Sequence, residues 1–315
     1  MKNFRILTIL LCLPFGLYQC QQPAGNGTGD EYVSKVREWR RQRLDNLKSP
    51  DGWLNLAGLY WLDEGRNTLG SDSTRDVVFP PKAPKHLGTL DLNNGQIRFT
   101  PRGNVKVMHD SSSVQGPMKL KSDASGEPTT LSHGPLRWYV IKRGDQYGIR
   151  LRDLESPLLD KLDSIPAYPV KPDWRIRATF VPYEEPKSIT IPNVLGGTYQ
   201  DESPGKLRFT YQGQQYTLHP TGSRESLFVV FGDDTNAETT YGGGRFLVVE
   251  GPNQDNITHL DFNKAYNPPC AFTPYATCPL PPRQNILPFQ VDAGEKAPGL
   301  ERTHSLHGTH QESDN

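Results

Sequence analysis

Hydrophobic positions change period along this chain. Over residues 31–48, Val33, Val36, Leu44 and Leu47 recur near helical spacing, with Tyr32 and Trp39 flanking the stripe. Arg37, Arg40, Arg41 and Arg43 fill much of the remaining surface. This pattern predicts an amphipathic helix, within a segment 31–50. Ser49-Pro50 ends it, because the residue before a proline is pushed out of the helical region. The arginines are expected to form a solvated face, with contact to anionic headgroups as the alternative.

Beyond residue 50 the pattern turns strand-like. An apolar run of Trp53, Leu54, Leu56, Leu59, Trp61 and Leu62 is turned by Asp63-Glu64-Gly65. Strands are predicted over 77–79, 96–99, 105–108, 136–141 and 146–153, the last two joined by an Arg143-Gly144-Asp145 hairpin turn. Pro166, Pro169 and Pro172 punctuate a connection that reads as a domain boundary. After it, Trp174, Ile176, Ala178 and Phe180 alternate with Arg175, Arg177 and Thr179, a half-buried strand. Further strands follow over 188–191, 206–211, 214–219, 226–231 and 245–249, with Gly213 turning one hairpin. The expectation is a mostly-β chain of two packed antiparallel β-sandwich or barrel subdomains, residues 51–168 and 173–296, with one N-terminal helix.

Composition supports this. The chain has 315 residues, including 29 glycines and 28 prolines, as strands joined by tight turns require. Residues 1–20 combine Lys2 and Arg5, an apolar run and a cysteine, and read as an export signal too short to span a bilayer. Taking Lys2 and Arg5 from the 35 basic residues leaves 33 against 35 acidic, which offers nucleic acid no electrostatic footing. Leu17 three residues before Cys20 resembles a bacterial lipobox, although Gln19 stands where a small residue is usual. The resemblance implies lipidation at Cys20 and a cell-envelope location, in the periplasm or on the outer membrane, with the membrane as a partner through the anchor. Residues 21–30 then read as a flexible tether and 297–315 as a disordered tail. Within the tail, His304, His307 and His310 would support only adventitious metal binding.

Two stretches carry candidate chemistry. In residues 231–247, Asp233, Asp234 and Glu238 precede Gly242-Gly243-Gly244 and Arg245. Clustered carboxylates can chelate calcium, pair with Arg245 or act as general acid and base; the alternative is a polar turn capped by Asp234 and Asn236. The glycines do not form a phosphate loop, since no helix follows them. Residues 261–285 hold six prolines, two cysteines, four aromatic residues and four side-chain amides. Proline gives up its N–H and fixes φ, so this segment reads as a rigid irregular ribbon laid across a β-scaffold. Cys270 and Cys278 most simply form a disulfide in an exported protein. A zinc site matches known spacings poorly, and a nucleophilic cysteine would need His219 or His259 as its base. Asp261, Asn263, Tyr266 and Asn267 offer donors, acceptors and a flat face suited to a polar ligand, or else they satisfy the ribbon's own backbone.

The two stretches together carry F-x-D-x-T, E-T-x-Y, G-R-F-L, D-F-N-x-A-Y-N-P-P-C, C-P-L-P-P and N-x-L-P in order. With the earlier W-L-N-L-A-G-L-Y-W-L and G-S-D-S-T-R-D-V-V-F-P runs, they resemble a bacterial domain-of-unknown-function family, numbered 1684, over roughly residues 31–296. The motif positions are Asp233, Thr235, Glu238, Tyr241, Arg245, Asp261, Asn263, Tyr266, Asn267, Cys270, Cys278 and Asn285. Within 52–100, Leu69-Gly70, Asp76-Val77-Val78, Lys85-His86 and Asn94-Gly95 are similar to a forkhead-associated sandwich. Ser71 and Ala83 replace the arginine and serine with which that family holds phosphate, so phosphopeptide binding is not expected. The functional expectation is a binder of a small polar molecule, such as a glycan or envelope fragment, held between ribbon and acidic hairpin. Its contacts would be Tyr241, Arg245, Asp261, Asn263, Tyr266, Asn267 and Asn285, with neither a metal nor a cofactor. The alternatives are a hydrolase using Asp233, Glu238 or Asp261 as acid or base, and a structural envelope protein without a ligand.

Overall fold

The computed structural model describes residues 27–300. The signal segment, Cys20, residues 21–26 of the expected tether and the tail histidines lie outside the described residues. The helix α1 (Gly27–Lys48) begins inside the predicted tether, with Asp30 in its first turn, where a carboxylate complements the helix N-terminus. Its apolar stripe is used as expected: Val36 and Leu47 are buried. Two of its arginines depart from the solvated-face expectation. Arg37 and Arg41 stay exposed, but Arg40 and Arg43 reach into the C-terminal half of the chain. Among the described residues no helix is long and apolar enough to cross a membrane.

The chain is mostly β, as its alternation requires. The N-terminal body contains β1 (Leu56–Trp61), β2 (Gly65–Gly70), β3 (Val77–Val78), β4 (Gly88–Asn93), β5 (Gln96–Pro101), β6 (Met108–His109), β7 (Ser112–Ser113), β8 (Met118–Leu120), β9 (Leu131–His133), β10 (Leu136–Arg143) and β11 (Gln146–Asp153). They form a six-stranded sheet, ordered β1-β11-β10-β9-β6-β7, and a five-stranded sheet, ordered β3-β2-β4-β5-β8. Pairing is antiparallel except between β2 and β3. A core around Trp138, Phe79 and Phe99 fills this body, with edge-on rings that suit aromatic quadrupoles. The predicted strand over 105–108 survives only as the short β6.

A connection with the single helical turn α2 (Leu158–Lys161) leads to the C-terminal body. It holds β12 (Arg175–Pro192), β13 (Thr198–Tyr211), β14 (Gln214–Leu218), β15 (Thr221–Gly222), β16 (Ser226–Phe231), β17 (Arg245–Glu250) and β18 (Ile257–Asp261). Two antiparallel sheets result, β14-β13-β12-β18 and β15-β16-β17, over a core with Phe180, Phe209, Phe231 and Phe262. The alternation of 174–180 is realised: Ala178 and Phe180 are buried while Arg175, Arg177 and Thr179 are exposed. Two strands predicted separately, ending at 180 and starting at 188, are one long strand. Its pairing with β13 breaks register between Pro182 and Lys187, which lets Pro186 sit where no ladder hydrogen bond is asked of it. The tip of the β12–β13 hairpin, with Val194 and Leu195 exposed, extends to the ribbon.

Candidate functional site

The ribbon is ordered and clamped along its length. Three short 3₁₀ turns, Phe262–Lys264, Pro269–Ala271 and Arg283–Asn285, supply part of its backbone bonding. The rest comes from neighbours. Tyr266 and Phe246 exchange backbone hydrogen bonds at 2.9 and 2.8 Å. Val194 N donates to the Cys278 carbonyl at 3.1 Å, and Leu280 N to that of Pro192 at 2.8 Å. Gly232 N donates to the Asn285 carbonyl at 3.0 Å. Cys270 and Cys278 are joined as a disulfide, their Cα atoms 6.1 Å apart.

The acidic segment and the ribbon meet, and the space between them is filled by the protein itself. Gly244, at φ +80°, lies so close to the ribbon that a Cβ there would run into the Pro281 ring and the Phe231 carbonyl. Arg245 is fully enclosed. Its Nη2 donates to Asp233 Oδ2 at 2.7 Å and to the Val291 carbonyl at 2.9 Å, and its Nη1 donates to the Ala293 carbonyl. Asp233 Oδ1 accepts from the Thr235 hydroxyl at 2.6 Å, Thr235 N at 2.9 Å and Val291 N at 3.2 Å. The segment closes on itself as a capped turn, in which Asn236 Nδ2 donates to the Tyr241 carbonyl. Asp234 and Glu238 are exposed, and Tyr241 is buried beside Leu47, Leu54 and Phe272.

The ribbon's amides point at backbone. Asn263 Nδ2 donates to the Lys171 carbonyl at 2.8 Å and its Oδ1 accepts from Lys171 N at 3.0 Å. Asn285 does the same for His219, accepting from its N at 2.8 Å and donating to its carbonyl at 2.9 Å. Asn267 Nδ2 donates to the Lys296 carbonyl at 2.7 Å. The half-buried Asp261 accepts from the Tyr32 hydroxyl at 2.6 Å. Burial first, and then that carboxylate, push the Tyr32 hydroxyl well above the usual phenol range. Tyr266 lies under the Arg43 guanidinium, 4.3 Å from its ring centroid, and burial raises its hydroxyl too.

An open cleft of about 470 Å³ lies on another side of the ribbon, between the two bodies. Pro269, Ala276, Thr277, Cys278 and Pro279 form its ribbon wall, and Asn193, Leu195 and Tyr199 of the β12–β13 hairpin rim it. Phe228 and Phe246 come from β16 and β17, and Trp53, Arg143 and Arg150 from the N-terminal body. Among the described residues no carboxylate lines it. Arg143 Nη1 donates to Asp123 at 2.7 Å, and its Nε to the Thr277 hydroxyl at 3.3 Å. Arg150 is 4% exposed, lies 5.4 Å from the Trp53 ring centroid and has a buried Nε without a partner. Burial, more than any neighbouring charge, lowers its pKa.

Of the residues expected to touch a ligand, none lines this cleft; the ribbon itself does, through residues 269–279. Sequence reasoning gave none of Trp53, Arg143, Arg150, Tyr199, Phe228 and Phe246 a role in ligand contact. In β11, Arg150 and Arg152 alternate with Ile149 and Leu151, yet all four are buried: Arg152 donates to the Gly52 carbonyl and to Asn55, and Arg150 lies against Trp53. Two arginines at alternate positions beside Ile149 and Leu151 were the available signal.

Residues 160–296 match the family model described as Protein of unknown function (DUF1684). That span holds the acidic segment and the whole ribbon; it does not reach the forkhead-associated-like run at 52–100. The chain is also similar to an uncharacterized protein from Haloarcula marismortui with a solution NMR structure. The two are 32% identical, with 44% of this chain and 78% of that chain covered and a TM-score of 0.37. No curated protein matches the chain. By the family-model match and the motif it encloses, residues 160–296 of this chain are a DUF1684 region.

Proposed function

We propose that this protein is a binding protein that holds a small, mainly apolar molecule in the cleft between its two β-bodies, against the disulfide-bearing ribbon. The carrying observation is the cleft: a preformed concavity floored by Phe228 and Phe246, flanked by Trp53 and walled by Cys278 and its prolines. Volumes of about 300–1,000 Å³ with mostly apolar walls and a few polar groups are typical of small-molecule sites. The reading differs from the polar ligand expected on the ribbon's amides, since Asn263 and Asn285 are spent on backbone and Asn267 is fully buried, its Nδ2 on the Lys296 carbonyl. It is favoured over hydrolysis because Asp233, Glu238 and Asp261 lie outside the cleft, in an ion pair, in solvent and on Tyr32 respectively. It also explains a feature that a purely structural role leaves over. Neither a cofactor nor a metal enters the reading. Export and lipidation at Cys20 would place such a binder at the cell envelope, next to a membrane.

The test is a titration of the full chain with N-phenyl-1-naphthylamine, an uncharged apolar probe that brightens out of water. Saturable binding is expected, weakened about tenfold or more by Thr277→Trp, which fills the cleft from a half-buried wall position. Unsaturable fluorescence, or binding untouched by that substitution, would overturn the reading.

A further inference from the structure

Two arginines line the cleft, Arg143 and Arg150, and they differ in whether a carboxylate faces them. Arg143 is matched by Asp123 at 2.7 Å. Arg150 forms no ion pair of its own among the described residues. Its contacts are the Tyr139 side chain and the Trp53 ring, neither of which neutralises it, and its Nε is left without an acceptor. A guanidinium that is 4% exposed and lacks a counter-charge is costly to keep, and the cost is relieved by an anion that reaches it.

We infer that the cleft, on the reading of it as an apolar ligand site, selects a monoanion: a carboxylate on an apolar body, its head on Arg150 and its chain toward Phe228 and Phe246. The charge count separates carboxylate from phosphate monoester. A single unmatched guanidinium neutralises one negative charge, and a dianion would leave a second charge inside an apolar wall. Planarity points the same way, since a guanidinium fork matches a carboxylate edge with two parallel hydrogen bonds. Tyr199 and the exposed Leu195 at the rim extend the apolar path, so a chain longer than the cleft can leave over the hairpin tip.

Calorimetric titration of the full chain with octanoate, 1-octanol and octyl phosphate tests this. Octanoate is expected to bind about tenfold or more tightly than octanol, and octyl phosphate no better than octanoate. That advantage should vanish in Arg150→Met and persist in part in Arg150→Lys, which keeps the charge without the fork. The ligand series alone decides the matter should a variant not fold. Equal binding of octanoate and octanol, or an advantage that survives in Arg150→Met, would overturn the inference and leave the apolar site standing. Tighter binding of octyl phosphate would overturn the monoanion assignment. Failure of all three ligands to bind would overturn the site itself.

Discussion

Asp233 and Arg245 face each other at 2.7 Å with neither side chain exposed to solvent, and every oxygen of that carboxylate is used. Arg245 belongs to β17 and its carbonyl partners to residues 291–293, so one side chain ties the acidic turn and the 291–293 segment to the sheet. Such a pair contributes little over a well-packed apolar pair, but removing one member strands a buried charge. Arg245→Met should therefore destabilise by about 3–5 kcal/mol in urea unfolding. Arg245→Met with Asp233→Leu should recover much of that loss. A single variant as stable as the parent would show the pair to be unimportant.

Arg43 makes a second tie, between helix and ribbon. Its Nε donates to Glu295 Oε1 at 2.7 Å and its Nη2 to the Asn267 carbonyl at 2.8 Å, while Glu295 Oε2 accepts from Asn267 N. Glu295 is 2% exposed. Arg43→Ala should cost about 2–3 kcal/mol, somewhat less than for Arg245 because water can enter beside the shortened side chain. Adding Glu295→Gln should restore part of it. Chemical denaturation of the two variants checks both numbers.

The disulfide closes a sequence separation of only 8 residues within a proline-rich stretch. In the chain-entropy model its contribution is about 2.6 kcal/mol, and the prolines lower that ceiling by stiffening the unfolded chain. Cys270→Ala with Cys278→Ala should thus lower stability by less than this value. Because Cys278 lines the cleft, the same variant should weaken binding of the apolar probe. A melting scan and a probe titration on one sample separate the two effects.

Acid should weaken the protein in two stages. Burial, aided by Lys206 for His219 and by Arg175 and Arg177 for His259, lowers both imidazole pKa values in the folded state. The unfolded chain then takes up these protons first, so their stabilisation is complete above about pH 6.5 and is lost as pH falls below it. Asp76 is also held below its ordinary range, chiefly by the Thr68 backbone N–H, and its share is lost only below about pH 4. Melting temperature against pH should show the first decline, and His219→Gln with His259→Gln should flatten it.

Much of the fold could be read from period and turn chemistry, whereas the cleft could not. The strand Gln146–Asp153 and its hairpin turn follow from alternation and Gly144, and Ser226–Phe231 from an apolar run between turn residues. The ribbon's rigidity and its union with the acidic segment were also legible, because proline backbone must find partners outside itself. Asn263, Asn267 and Asn285 met that need rather than a ligand's, the reading that lay open beside the polar site. What stayed hidden depends on contacts far apart in the chain. Arg150 meets Trp53 of the same body, and both border on Phe246 and Cys278 only after the bodies pack. Period two says which residues share a face, but not what packs on it.

Hydrogen–deuterium exchange of the full chain, with and without saturating octanoate, tests the cleft assignment most directly. Slowed exchange is predicted in segments 143–150, 193–199 and 269–279, which line the cavity from three directions. Protection confined to the concavity around Arg66, Arg75 and Arg102, or to the one beside Tyr32 and Asp261, would contradict it.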